Sequence, residues 1–124
     1  MAADVDYLIL ACPGGEETHH IVSRPVLEAL GPMGTLVNIA RGSVVDQIAL
    51  VEMLTEGTLG AAGLDVLDGE PLIPEVLKSL DNVVLTPHIG GVTLTAIGDA
   101  TNMVIANLDA YFDGKPLITP VNQI

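Results

Sequence analysis

Four short apolar runs, each broken by turn residues and followed by a helical pattern, restrict this chain more than any other feature. Val5 to Ala11, Thr35 to Ala40, Gly60 to Val66 and Val83 to Leu85 are built almost wholly from Val, Ile, Leu, Ala and Gly. Near-continuous runs of this kind fit strands of a buried parallel sheet, with helices packed on it. Three segments between them have helical spacing: Arg24 to Leu30 with Ser23 as N-cap, Asp46 to Leu54 with Gly57 as C-terminal cap, and Ile73 to Leu80. A longer pattern from Thr93 to Phe112 repeats apolar residues at Ile97, Val104, Ile105, Leu108 and Phe112, and Asp113-Gly114 closes it. The alternation predicts an α/β fold: a parallel sheet of about four strands with flanking helices and a long C-terminal helix.

Charge narrows the classes of partner. The formal net charge of −12 argues against nucleic-acid binding and against docking on an anionic membrane. Only Arg24, Arg41, Lys78 and Lys115 are basic, so an anion site must be local. Hydrophobic residues make up 49% but aromatic residues only 2%, so the core must be aliphatic. The one cysteine, Cys12, excludes an internal disulfide. No signal peptide stands out, and no apolar run approaches the roughly 20 residues of a membrane span. A soluble, reducing compartment, the cytoplasm, is the expected location.

In parallel α/β sheets, ligands bind outside the carboxyl ends of the strands. Three runs here deliver chemistry to that edge. The second ends in Arg41, whose guanidinium can hold a carboxylate by two parallel hydrogen bonds. A lone arginine is nevertheless more often committed to a structural ion pair. The third gives Asp65 and, in its loop, Glu70, which can bond an imidazole and favour its charged form. The fourth stops at Thr86-Pro87 and gives His88 before the Gly90-Gly91 turn. A histidine there can give a proton to a carbonyl oxygen as it becomes a hydroxyl, although a histidine that merely caps a turn is the plainer alternative. Right-handed crossovers set successive parallel strands side by side, so these residues are expected to converge in one crevice. The adjacent His19 and His20 are expected to point apart, as a solvated pair and not a metal site.

Three blocks then resemble the D-isomer-specific 2-hydroxyacid dehydrogenases. They are Asn38-Ile39-Ala40-Arg41-Gly42-Ser43-Val44-Val45-Asp46, Gly63-Leu64-Asp65-Val66 with Glu70-Pro71, and Thr86-Pro87-His88-Ile89-Gly90-Gly91; the closing Thr119-Pro120-Val121-Asn122 agrees as well. The Leu30-Gly31-Pro32 turn and the stretch from Val37 to Val45 resemble most closely the glyoxylate/hydroxypyruvate reductase branch of that family. The resemblance implies hydride transfer between NAD(P)H and a small 2-keto acid. It assigns Arg41 to the substrate carboxylate, His88 to acid–base catalysis, and Glu70 to a hydrogen bond on His88. Asp65 would contact the nicotinamide carboxamide. Cys12, Pro13, Asn38, Ile39, Ala40, Gly90 and Gly91 would line the cofactor cleft.

The family's Gly-x-Gly-x-x-Gly phosphate turn has no counterpart in the 124 residues. Smaller departures are Leu67 and Asp68 where Phe and Glu are usual, and Gln47 where Glu is usual. Residues 1–124 are therefore expected to be a single truncated half of a Rossmann-type doubly wound domain, with the terminal helix and tail over 93–124. A strand run beginning almost at Met1 points the same way. Alone, the chain is expected to bind no NAD or NADP and to be inactive or nearly so. It is expected to associate as a homodimer, through the open edge of its first strand or by exchange of the terminal helix. A phosphoacceptor receiver domain is the competing α/β module, but it needs clustered acids at the first strand end, where Ala11-Cys12-Pro13 stands.

Overall fold

A computed structural model describes residues 1–121; Asn122 of the closing block lies outside them. Four strands, β1 (Tyr7–Leu10), β2 (Thr35–Asn38), β3 (Ala61–Leu64) and β4 (Val83–Leu85), form one parallel sheet in the order β1-β2-β3-β4. Helices α1 (Arg24–Leu30), α2 (Gln47–Glu56) and α3 (Glu75–Ser79) make the crossovers, and α4 (Leu94–Phe112) follows. The α/β reading therefore holds, with shorter elements. Proline explains one shortfall: α3 was expected from Ile73, but Pro74 disfavours helical backbone in the residue before it and stands at the N-cap.

The caps follow their chemistry only in part. Asp46 accepts from the backbone N–H of Ala49 at 3.1 Å, and Gly57 ends α2 in the left-handed region at φ 72°. Ser23 stands at the N-cap of α1, but its hydroxyl makes no cap bond.

The chain forms two compact units, Met1 to Gly90 and the segment from Gly91 onward. In the first, one row across the sheet is Leu8, Leu36, Ala62 and Val83, and another is Leu10, Asn38, Leu64 and Leu85. Both rows face the helices, where Leu27, Leu50 and Leu77 from α1, α2 and α3 complete an aliphatic core. The sequential strand order with right-handed crossovers puts all three helices on that side. The opposite rows carry Tyr7, Ile9 and Val84, which are 67%, 61% and 67% exposed. The sheet is thus buried on one face, not two, and β1 has an open edge beside it.

In the second unit, Thr93 caps α4 by accepting from Ala96 at 3.0 Å. Asn107 fastens the following tail, accepting from the backbone N–H groups of Ile118 and Thr119 and donating to the Thr119 hydroxyl. Among the described residues, no helix is long and apolar enough to cross a membrane.

Candidate active site

The carboxyl end of β2 is shaped by an asparagine. Asn38 is 1% exposed. Its Oδ1 accepts from Ala40 N at 3.0 Å, and its Nδ2 donates to the Arg41 carbonyl at 3.0 Å. Both polar groups of a buried amide are thereby satisfied inside the turn, which holds Arg41 at the sheet edge. Asn38 supports the site from below; its side chain is committed to this turn.

Arg41 itself is exposed and donates from Nη1 to the Ala40 carbonyl at 2.7 Å. Arg24, Lys78 and Lys115 each pair with an acid, to Glu52, Glu75 and Asp113. Among the described residues Arg41 pairs with none, despite 16 acids in the chain. The ion-pair alternative therefore fails for this arginine. Its stem lies over Gly14, where a Cβ would come within 2.8 Å of Arg41 Cγ. The hollow beside it, of about 770 Å³, is lined by Cys12, Pro13, Gly15, Ile39, Ala40 and Arg41.

The ends of β3 and β4 carry the second group. His88 Nδ1 lies 2.9 Å from Glu70 Oε2, and Glu70 Oε1 accepts from Leu67 N at 2.6 Å. His88 adopts a left-handed backbone, φ 54°, a region sparsely used by non-glycine residues. Asp65 fastens that turn. Its carbonyl accepts from His88 N at 3.0 Å, its Oδ1 from Ile89 N at 2.9 Å and from the Thr86 hydroxyl, and its Oδ2 from Gly90 N at 2.8 Å. Gly90 leaves room for the carboxylate, since a Cβ there would meet Asp65 Oδ2 at 2.9 Å. Both Asp65 oxygens are thus engaged by the turn that presents His88. A hollow of about 290 Å³ is lined by Asp65, Glu70, Pro71, Ile73, Thr86 and His88.

These contacts set the electrostatics. The Thr86 hydroxyl, with the Gly90 and Ile89 N–H groups, holds the Asp65 carboxyl below its ordinary value. The Leu67 N–H, with His88, does the same for Glu70. Both carboxylates therefore stabilise the fold fully above their ordinary values of 3.8 and 4.5, and lose that contribution as pH falls through the lower folded values. Protonating the other acids relieves the −12 self-repulsion over the same range, so a variant is needed to isolate the effect. Thermal melts from pH 7 to pH 3 are expected to show a smaller acid loss for Glu70→Gln than for the unaltered chain. Parallel curves for the two would contradict the assignment.

The edge is shared, but the crevice is divided. Arg41 lines one hollow, and His88 with Glu70 lines the other. Two contacts join them. Gly42, directly after Arg41, packs against the Leu67–Asp68 peptide so closely that a Cβ would lie 2.1 Å from Leu67 C. Ile39 Cγ2 lies 4.0 Å from the same position on Gly90. Gly91 opens the second unit. His19 and His20 do not point apart: their rings stack with centroids 3.9 Å apart, because they leave a 3-10 turn and His20 has φ 49°. The supporting role of Gly42 escapes sequence reasoning. The only signal for Gly42 is a glycine directly after a strand-end arginine.

Residues 1–90 match the family described as D-isomer specific 2-hydroxyacid dehydrogenase, NAD binding domain. The hydroxyphenylpyruvate reductase of Plectranthus scutellarioides is 51% identical over 121 residues, which is 98% of this chain and 39% of that protein. A glyoxylate/hydroxypyruvate reductase of Arabidopsis thaliana is 50% identical over the same shares. Among solved structures, the NADPH-dependent glyoxylate/hydroxypyruvate reductase of Sinorhizobium meliloti, in complex with NADP and malonate, superposes with a TM-score of 0.93 at 44% identity. That match covers 97% of this chain and 38% of the other. The chain thus spans about two fifths of the length of the relatives it matches.

Proposed function

Because the chain belongs to the D-isomer-specific 2-hydroxyacid dehydrogenase family, through its NAD-binding domain, we propose that it carries the acid–base pair and the carboxylate-binding arginine for interconverting a small 2-keto acid and its 2-hydroxy acid. The observation that carries this reading is Arg41, which pairs with no acid among the described residues and is packed through Gly42 on the loop that presents Glu70 to His88. The hollow lined by Cys12, Pro13, Gly14, Gly15, Ile39 and Ala40, about 770 Å³ with a mixed polar and apolar lining, is the place this reading gives to the nicotinamide end of NAD or NADP. The cofactor, when bound, supplies the hydride.

The protein's own residues do the rest. Arg41 binds the substrate carboxylate and so orients the keto group. Glu70 occupies Nδ1 of His88, which leaves Nε2 as the atom that gives a proton to the keto oxygen in reduction and takes it back in oxidation. Asp65 holds the turn on which the imidazole stands. The chain's likeness to glyoxylate/hydroxypyruvate reductases supports substrates of that class.

A second reading concerns the chain by itself: a non-catalytic half-domain that self-associates. The open edge of β1 and the exposed Tyr7 and Ile9 beside it favour this reading, since an unpaired apolar strand readily adds another. Orientation and water exclusion supply much of the rate in such sites, and residues 1–124 contain no Gly-x-Gly-x-x-Gly phosphate turn. The isolated chain is therefore expected to show no saturable binding of NADH or NADPH up to millimolar cofactor, and a dimeric mass by light scattering. Saturable binding with keto-acid-dependent oxidation would overturn that expectation. The catalytic reading is tested by putting residues 1–121 of this chain in place of the matching segment of the Sinorhizobium meliloti reductase. The chimera is expected to reduce glyoxylate with NADPH. A folded, cofactor-binding chimera without turnover would refute the roles given to Arg41 and His88.

A further inference from the structure

The side chain of Gln47, the first residue of α2, makes two hydrogen bonds to a single backbone residue. Its Nε2 donates to the Asp68 carbonyl at 3.1 Å, and its Oε1 accepts from Asp68 N at 2.8 Å. One side-chain amide thus satisfies both backbone groups of Asp68, as a neighbouring strand would. Asp68 begins the short loop that carries Glu70, and Leu67, just before it, donates its own N–H to Glu70 Oε1 at 2.6 Å. Gly42 packs closely against the Leu67–Asp68 peptide as well. Steric contact and one Gln47 hydrogen bond thus both restrain that peptide, and the second Gln47 bond restrains the next one, Asp68–Gly69. The carboxylate that meets His88 accepts from the adjoining Val66–Leu67 peptide, one residue before the clamp.

We propose that Gln47 is a positioning residue that sets the Glu70 carboxylate against His88 by clamping the Leu67–Asp68 peptide. The residue type matters. A glutamate at this position could still accept from Asp68 N, but it has no hydrogen for the Asp68 carbonyl and would set an anion against that oxygen. Glutamine alone of the two makes both bonds. The catalytic meaning of the clamp rests on the reading of His88 and Glu70 given above; its effect on Glu70 can be measured without any turnover.

The test is the titration of the Glu70 side-chain carboxyl by carbon-13 NMR in this chain. Glu70 faces His88 and Asp65 as its charged neighbours, and the Leu67 N–H holds its carboxyl below the ordinary value. In Gln47→Ala and Gln47→Glu, the Glu70 midpoint is expected to rise toward that ordinary value, with the Asp65 midpoint unchanged. Ile48→Ala, at an exposed neighbouring position on the same helix, is expected to leave both in place. Unchanged Glu70 midpoints in folded Gln47 variants would overturn the proposal. In the unaltered chain, the Gln47 side-chain amide protons are expected to exchange with solvent more slowly than those of Gln in a free peptide. Exchange at the free rate would overturn the proposal even if both variants failed to fold.

Discussion

Replacing Gly42 by Ala is expected to destabilise the first unit by about 1–3 kcal/mol, the usual cost of forcing an extra methyl group into packed structure. The added carbon would lie 2.1 Å from Leu67 C and 2.2 Å from Asp68 N, and these are backbone atoms that cannot rotate aside. Restricting the unfolded chain returns only about 0.4–1 kcal/mol, so the steric term wins. Each kcal/mol lowers Tm by roughly 4–8 °C in a domain of this size. Gly63→Ala is the control, because its Cβ would meet only Val37 at 3.9 Å, an ordinary contact. That variant is expected to melt at or slightly above the temperature of the unaltered chain. A Gly42→Ala protein with an unchanged melting curve would mean that the Arg41 loop and the Glu70 loop are not wedged together.

Loss of the His88 imidazole is expected to lower turnover of the glyoxylate-reducing chimera by about 10²–10⁴, the range that a positioned proton donor contributes. The choice of variant decides whether the result is interpretable. His88 has φ 54°, where alanine is strained and asparagine is comparatively tolerated. His88→Asn therefore removes the proton donor while keeping the turn fastened by Asp65. Its defect should appear in kcat, with cofactor affinity unchanged. Arg41→Ala removes the carboxylate anchor and should raise KM as well as lower kcat, because it weakens binding in the ground state and the transition state alike. Equal turnover by His88→Asn and the unaltered chimera would assign the proton transfer to another group.

Much of the site was legible in one dimension because parallel sheets collect strand ends at one edge. Arg41, Asp65 and His88 each follow an apolar run, and the structure places β2, β3 and β4 as neighbours in that order. Glu70 was found by its spacing after β3, and its bond to His88 at 2.9 Å is the contact expected of it. Reading Asp65 only as a cofactor contact missed its engagement with Thr86, Ile89 and Gly90, groups 21 to 25 positions away. Ile9 and Val84 stand in apolar runs that read as buried strands, yet both are exposed on the uncovered face; for the first strand, partly uncovered faces are what the missing half-domain leads one to expect.

Element type, strand direction and the placing of candidate side chains at strand ends were thus decided by the sequence, because hydrophobic period, caps and turn residues act over a few positions. Three features were decided only by tertiary structure. They are the division of the edge into two hollows, the wedge of Gly42 against the Leu67–Asp68 peptide, and the clamp from Gln47 to Asp68 across 21 positions. Each depends on the distance between loops that follow different strands. That distance comes from sheet register and helix packing, and no local pattern encodes it.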